Sequence, residues 1–194
     1  MINYDAKTAL VVVDVQNDFA DPNGSLYVKG GDAVIPRVND EVRRALDAGA
    51  YVVYTQDWHP ESTPHFEKDG GIWPVHCVKH TWGAEFHPDL VVEGPVVQKG
   101  SNGEDGYSGF TMRDPETGRE KETPLRTMLE EKGIERVVVV GLALDVCVKA
   151  TALDAAASFD ASVVVGATAA VELQPGDGAR AIEELEAGWV AIDG

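Results

Sequence analysis

Two places in this sequence gather side chains able to do chemistry. The first is Cys147, which follows the run Val137-Val138-Val139-Val140-Gly141-Leu142-Ala143-Leu144-Asp145. A thiol in the first turn of a helix meets unpaired backbone N–H groups and the positive end of the helix dipole. Both are expected to lower its pKa and favour the thiolate nucleophile. The second place is the stretch after residue 56. It holds all five histidines (His59, His65, His76, His80 and His87) and three of the four tryptophans (Trp58, Trp73 and Trp82). Asp57 and His59 are two apart, so in an extended segment their side chains share a face. With His65 and His76 they offer one carboxylate and two or three imidazoles, a donor set that suits zinc, iron or manganese, zinc foremost. His80 and His87 read as structural or solvent-exposed. Cys77 has no comparable helix start and reads as a small buried hydrophobe.

The elements that must carry these groups alternate. Thr8 to Val13 is a continuous apolar run, as in a strand buried on both faces. Asp32 can cap a helix with Val34, Val38, Val42 and Leu46 on one face and Gly49 past its end. Strands follow at Tyr51 to Thr55 and Val96 to Gln98. Thr123 caps and Pro124 opens a helix that Gly133 stops. Val137 to Val140 is a fourth strand, then comes a helix from about Asp145 to Phe159, a strand from Ser162 to Val165, a helix from about Asp177 to Ala187, and a last strand near Trp189 to Ile192. This alternation predicts an α/β fold: a three-layer α/β/α sandwich around a parallel, six-stranded, Rossmann-like sheet of order 3-2-1-4-5-6. In that order Asp14, at the end of strand 1, and Cys147, after strand 4, flank the switch-point crevice. Strand 2 brings Asp57 and His59 to the same edge, and strand 3 brings Lys99. A thiol, a carboxylate to take its proton and a cation make a set for nucleophilic catalysis without a histidine base.

Two connections exceed what a minimal fold needs, 57–94 and 100–122, and loops of that length are usually functional. The 194 residues fit one domain, 1–194, carrying the 57–94 stretch as a metal-binding insert. Acidic residues total 33 against 16 basic ones, a net charge of −17. Such a surface repels phosphate backbones and anionic lipid, which argues against nucleic-acid and membrane partners. No apolar stretch reaches the length of a membrane span. Two cysteines form no disulfide framework, and no basic region precedes the first apolar run, so a cytoplasmic location is expected.

The motifs taken together resemble the nicotinamidase branch of the isochorismatase-like cysteine hydrolases. They are Val13-Asp14-Val15-Gln16-Asn17-Asp18-Phe19, Gly24-Ser25-Leu26, Gly30-Gly31-Asp32, Asp57-Trp58-His59-Pro60, Trp73-Pro74-Val75-His76-Cys77-Val78, Lys99-Gly100, Tyr107-Ser108-Gly109-Phe110, Gly141-Leu142-Ala143 and Asp145-Val146-Cys147-Val148. The Asp…Lys…Cys order marks the superfamily, and the metal-type motifs mark the branch. The resemblance implies hydrolysis of nicotinamide to nicotinate and ammonia through a Cys147 thioester. Asp14 would move the proton and Lys99 would stabilise the charges of the pair. The N–H groups of Ala143 and Cys147 would form an oxyanion hole, with a cis peptide at Leu142–Ala143. Asp57, His59 and His76 would hold the metal, with His65 as a fourth ligand, and the ion would orient the pyridine ring. Phe19, Trp73 and Tyr107 match aromatic positions near that ring.

The sequence departs from this pattern at Leu144 and Val146, where relatives often carry a polar residue and an aromatic. It also departs in the acidic, Gly-rich stretch 101–106. These differences leave open a related amidase acting on a pyrazinamide-like or carbamoyl amide. A nucleotide-binding module is disfavoured, because neither G-x-G-x-x-G nor a Walker lysine motif occurs. A catalytically silent interaction protein is disfavoured by the retention of Asp14, Lys99 and Cys147. The expected partner is a small amide, and a homo-oligomer stays open.

Overall fold

The computed structural model describes residues 2–194. Its first strand, β1 (Thr8–Val13), is buried along its whole length, which requires a strand neighbour on each side and a layer on each face. A one-turn helix α1 (Asn17–Ala20) and the long helix α2 (Gly31–Asp47) follow, then β2 (Tyr51–Asp57) and β3 (Val96–Lys99). A hairpin of β4 (Thr111–Arg113) and β5 (Glu120–Glu122) leads to α3 (Leu125–Glu131). The chain continues through β6 (Arg136–Leu142), α4 (Lys149–Ala156), β7 (Asp160–Ala169), α5 (Asp177–Ala187) and β8 (Ala191–Asp193).

The main sheet is parallel, in the order β3-β2-β1-β6-β7-β8. Leaving the β4–β5 hairpin aside, this is the expected order 3-2-1-4-5-6. Each face of the sheet has its own apolar core. Leu10, Val12, Val38, Val42 and Tyr54 pack on one face, and Val11, Val13, Leu125, Val139 and Ala152 on the other. β1 and β6 meet at the centre, and the approach is close: a Cβ on Gly141 would lie 2.2 Å from the Val13 carbonyl oxygen. Gly141 also has φ at +108°, a conformation that a residue with a side chain disfavours.

Several boundaries differ from the sequence reading. Helix α2 begins at Gly31 with Gly30, not Asp32, at its N-cap. The Asp32 carboxylate instead accepts a hydrogen bond from the Tyr27 hydroxyl. The helix expected from Asp145 starts as a π turn, Leu144–Val148, before α4. The strand expected at 162–165 extends over 160–169 with a register shift against β6. The 100–122 connection contains the two-stranded hairpin. Among the described residues, no helix is long and apolar enough to cross a membrane.

Candidate active site

The carboxyl ends of β1, β2, β3 and β6 converge. Asp14 follows β1 with φ at +49°, an uncommon value for a residue with a side chain. Its buried carboxylate accepts from Thr55 Oγ1 at 2.6 Å and from Lys99 Nζ at 2.7 Å. Lys99 is itself 1 % exposed. Its ammonium also faces an Asp57 oxygen at 3.0 Å and donates to the Tyr107 carbonyl at 3.1 Å. Cys147 Sγ and one carboxylate oxygen each from Asp14 and Asp57 lie within 4.8 Å of one another.

The charges of this buried group depend on each other. Burial works against the Lys99 charge, but Asp14 and Asp57 hold its pKa well above the usual lysine value. Burial alone would raise Asp57, yet Lys99 and the neighbouring imidazoles keep it far below the ordinary carboxylate range. Burial pushes Asp14 up, and the Asp57 charge adds to the rise while Lys99 opposes it. Cys147 corrects an expectation. Burial, reinforced by Asp14 and Asp57, drives its thiol well above the usual value despite Lys99. Enclosure outweighs the helix start, so the resting sulfur keeps its proton and needs a base beside it.

The peptide between Leu142 and Ala143 is cis. Just beyond it, Val146 and Val148 donate to the Ala143 carbonyl at 3.1 and 3.0 Å, closing the turn that carries Cys147.

Next to this group stands a second one. His59, His65 and His76 are buried, and a ring nitrogen from each lies within 4.8 Å of the others. The His76 Nδ1 is 2.7 Å from the Pro74 carbonyl, and the His65 Nδ1 is 2.7 Å from Asp105 Oδ1. Burial lowers the His76 pKa to about 4, so this ring is neutral. Both nitrogens of His59 are buried without a hydrogen-bond partner among the described residues, and its Nε2 is 3.7 Å from Asp57 Oδ2. Three buried imidazoles beside a carboxylate, with both His59 nitrogens unmet, fit a divalent metal ion by the chemistry of their donors. Three imidazoles form the compact set, and Asp57 stands at its edge toward Lys99. His80 and His87 stay outside. His80 is exposed with its ring edge-on to Trp58, and His87 is buried with its Nδ1 accepting from the Asp89 N–H at 3.2 Å. Cys77 is buried and unpaired in a disulfide.

Both groups open into one pocket, lined by Phe19, Trp73, Tyr107, Val146, Cys147 and Val171 among others. The Trp73 indole N–H donates to the Tyr107 hydroxyl at 3.1 Å. Of the two departures beside the nucleophile, Val146 lines this pocket while Leu144 turns into the core.

Sequence reasoning passed over the residues that brace the site. The Gln16 side chain clasps the Asp57 backbone, accepting from its N–H and donating to its carbonyl, both at 2.8 Å. Asp18 accepts from the Cys77 N–H at 2.7 Å and the Ser25 N–H at 3.0 Å, tying the histidine loop to the pocket rim. Asp105 reaches His65 from the acidic stretch. Gln16 and Asp18 sit in the quoted Asp14 motif, so a signal existed. Asp105 carried none beyond its acidity.

Residues 8–193 match the isochorismatase domain model, and the chain belongs to that family. Its relatives within the family include nicotinamidases and pyrazinamidases. The nicotinamidase/pyrazinamidase of Mycobacterium tuberculosis is 39% identical, over 95% of this chain and 97% of the relative. A pyrazinamidase of Pyrococcus horikoshii, solved in complex with zinc, superposes with a TM-score of 0.84 at 39% identity, covering 96% of this chain and 98% of the other. The PnC1 protein of L. infantum, solved in complex with nicotinate, gives 0.86 at 35% identity, covering 98% and 94%.

Proposed function

We propose that this chain hydrolyses nicotinamide to nicotinate and ammonia, with Cys147 as nucleophile. The chain is a hydrolase acting on a carboxamide, in keeping with its nicotinamidase relatives. One observation carries the mechanism: the Asp14 carboxylate and the Lys99 ammonium are packed against each other, with Asp14 beside Cys147, whose thiol lines the pocket that the imidazole group also lines.

Because the thiol rests protonated, attack and proton transfer are coupled. Cys147 Sγ adds to the amide carbonyl carbon as its proton passes to Asp14. The carbonyl oxygen takes the negative charge, and the N–H groups of Ala143 and Cys147 would receive it. Asp14 then gives the proton to the leaving nitrogen, and ammonia departs as the C–N bond breaks. A water molecule, deprotonated by Asp14, cleaves the thioester, and the acid and the free thiol are restored. Lys99 keeps its charge throughout and limits the energy of the changing charge on Asp14 and Cys147. Phe19, Trp73 and Tyr107 enclose the ring and exclude water.

A divalent ion held by Asp57, His59, His65 and His76 would supply an electrophilic anchor for the ring nitrogen of the substrate. That arrangement favours a pyridine-type amide over a carbamoyl amide, which has no ring nitrogen to anchor. Rapid acid quench of enzyme mixed with nicotinamide, followed by mass spectrometry, tests the intermediate. Cys147 is expected to gain one nicotinoyl group in place of a hydrogen. An unmodified Cys147 under turnover, with acid product forming, would overturn the covalent route.

A further inference from the structure

The acidic stretch 101–106 departs from the resemblance, and the mechanism above gives it no task. Its Asp105 is nevertheless built into the site. The Asp105 backbone pairs with Arg113 of β4 as an isolated antiparallel bridge, with the Asp105 N–H donating to the Arg113 carbonyl at 2.8 Å. The hairpin therefore fixes where Asp105 stands. Its carboxylate Oδ1 lies 2.7 Å from His65 Nδ1. The His65 side chain is only 5 % exposed, whereas that of Asp105 is 46 % exposed.

A neutral imidazole carries one hydrogen, and an ionised carboxylate can only accept. As a metal ligand His65 would carry its one hydrogen on Nδ1, facing the carboxylate, and its lone pair on Nε2. A carboxylate behind a histidine in this way fixes both the tautomer and the ring orientation of a ligand. The same loop presses on the second histidine: a Cβ at Gly100 would lie 2.6 Å from His59 Nδ1. It also holds Lys99 through the Tyr107 carbonyl.

We infer that Asp105 is a positioning residue that makes His65 a metal ligand through Nε2, so that the β4–β5 hairpin sets the affinity of the site. This rests on the metal reading given above. The chemistry it predicts is hydrogen-bond acceptance by residue 105 and not its charge alone. Asn keeps an accepting Oδ1, whereas Ala keeps none.

The test uses full-length wild-type protein, Asp105→Ala, Asp105→Asn and His65→Ala, each stripped with chelator. Zinc affinity is read by competition with a chromophoric chelator, and ligand geometry by the visible spectrum of the cobalt(II) forms. Asp105→Ala is expected to bind zinc about 10- to 100-fold more weakly and to change the cobalt spectrum toward that of His65→Ala. Asp105→Asn is expected to keep the wild-type spectrum and most of the affinity. Wild-type affinity and spectrum in Asp105→Ala would overturn the inference, as would wild-type affinity in His65→Ala. Wild-type protein that binds neither metal would overturn the metal reading itself, so the two failures are told apart.

Discussion

Lys99 Nζ and Asp57 Oδ1 face each other at 3.0 Å, and this contact joins the two halves of the site. On one side, the same ammonium holds Asp14, next to Cys147. On the other, the second oxygen of Asp57 looks toward His59 Nε2. Nucleophile and imidazole group are therefore parts of one buried charge system, and a change in either is felt by the other.

The first consequence concerns Lys99. Lys99→Met removes the cation and leaves Asp14 and Asp57 buried together. Breaking a buried ion pair in this way costs about 3–5 kcal/mol. Without the ammonium, both folded-state carboxyl pKa values rise above the unfolded value of about 3.9. A raised carboxyl contributes stability at low pH that is lost as pH rises through the window between the two values. Urea unfolding is expected to show a defect that grows from pH 5 to pH 8. A defect that is constant with pH would contradict the pairing.

His76 gives a second pH dependence, in metal-free protein. Its pKa is about 4 because burial disfavours the imidazolium, against about 6.5 for a free histidine. Between these values the unfolded chain binds more protons, so stability falls as pH drops from about 6.5 toward 4. The loss is on the order of 3 kcal/mol at 1.36 kcal/mol per unit. His76→Asn is expected to flatten the stability–pH curve over this range, and an unchanged slope would refute it.

A third prediction separates Leu144 from Val146. Leu144 lies in the core, so Leu144→Ala is expected to cost about 2–5 kcal/mol of stability while leaving the ratio of kcat/KM for nicotinamide and pyrazinamide alone. Val146 lines the pocket, so Val146→Phe is expected to shift that ratio with little change in unfolding midpoint. Paired denaturation and kinetics on the two variants decide it; a reversed pattern would show that the side chains have been assigned to the wrong places.

His59 supplies the fourth. Its two nitrogens find no hydrogen-bond partner among the described residues, so His59→Ala is expected to lower bound metal per chain by elemental analysis. Full metal content in the variant would move the site elsewhere.

Much of this was legible in the sequence. Two-sided apolar runs such as Thr8–Val13 can only be central strands of a covered parallel sheet, and the crossover rules then bring Asp14, Asp57, Lys99 and Cys147 to one edge. The histidine cluster was visible as composition. The Cys147 protonation state was not, because it depends on enclosure by residues distant in sequence. The Asp105 contact was equally hidden: residue 105 reaches His65 only because a short hairpin of unremarkable composition pairs with it. Gln16 and Asp18 were visible as part of the Asp14 motif, but the contacts they make, like that of Asp105, are set by the fold.

The central claim is best tested by ammonia release from nicotinamide, using wild-type and Cys147→Ala protein, after chelation and after metal add-back. Wild-type protein is expected to release ammonia when metallated and to lose that activity on chelation. Cys147→Ala is expected to release none while still binding metal. Turnover by Cys147→Ala, or none from reduced and fully metallated wild-type protein, would contradict it.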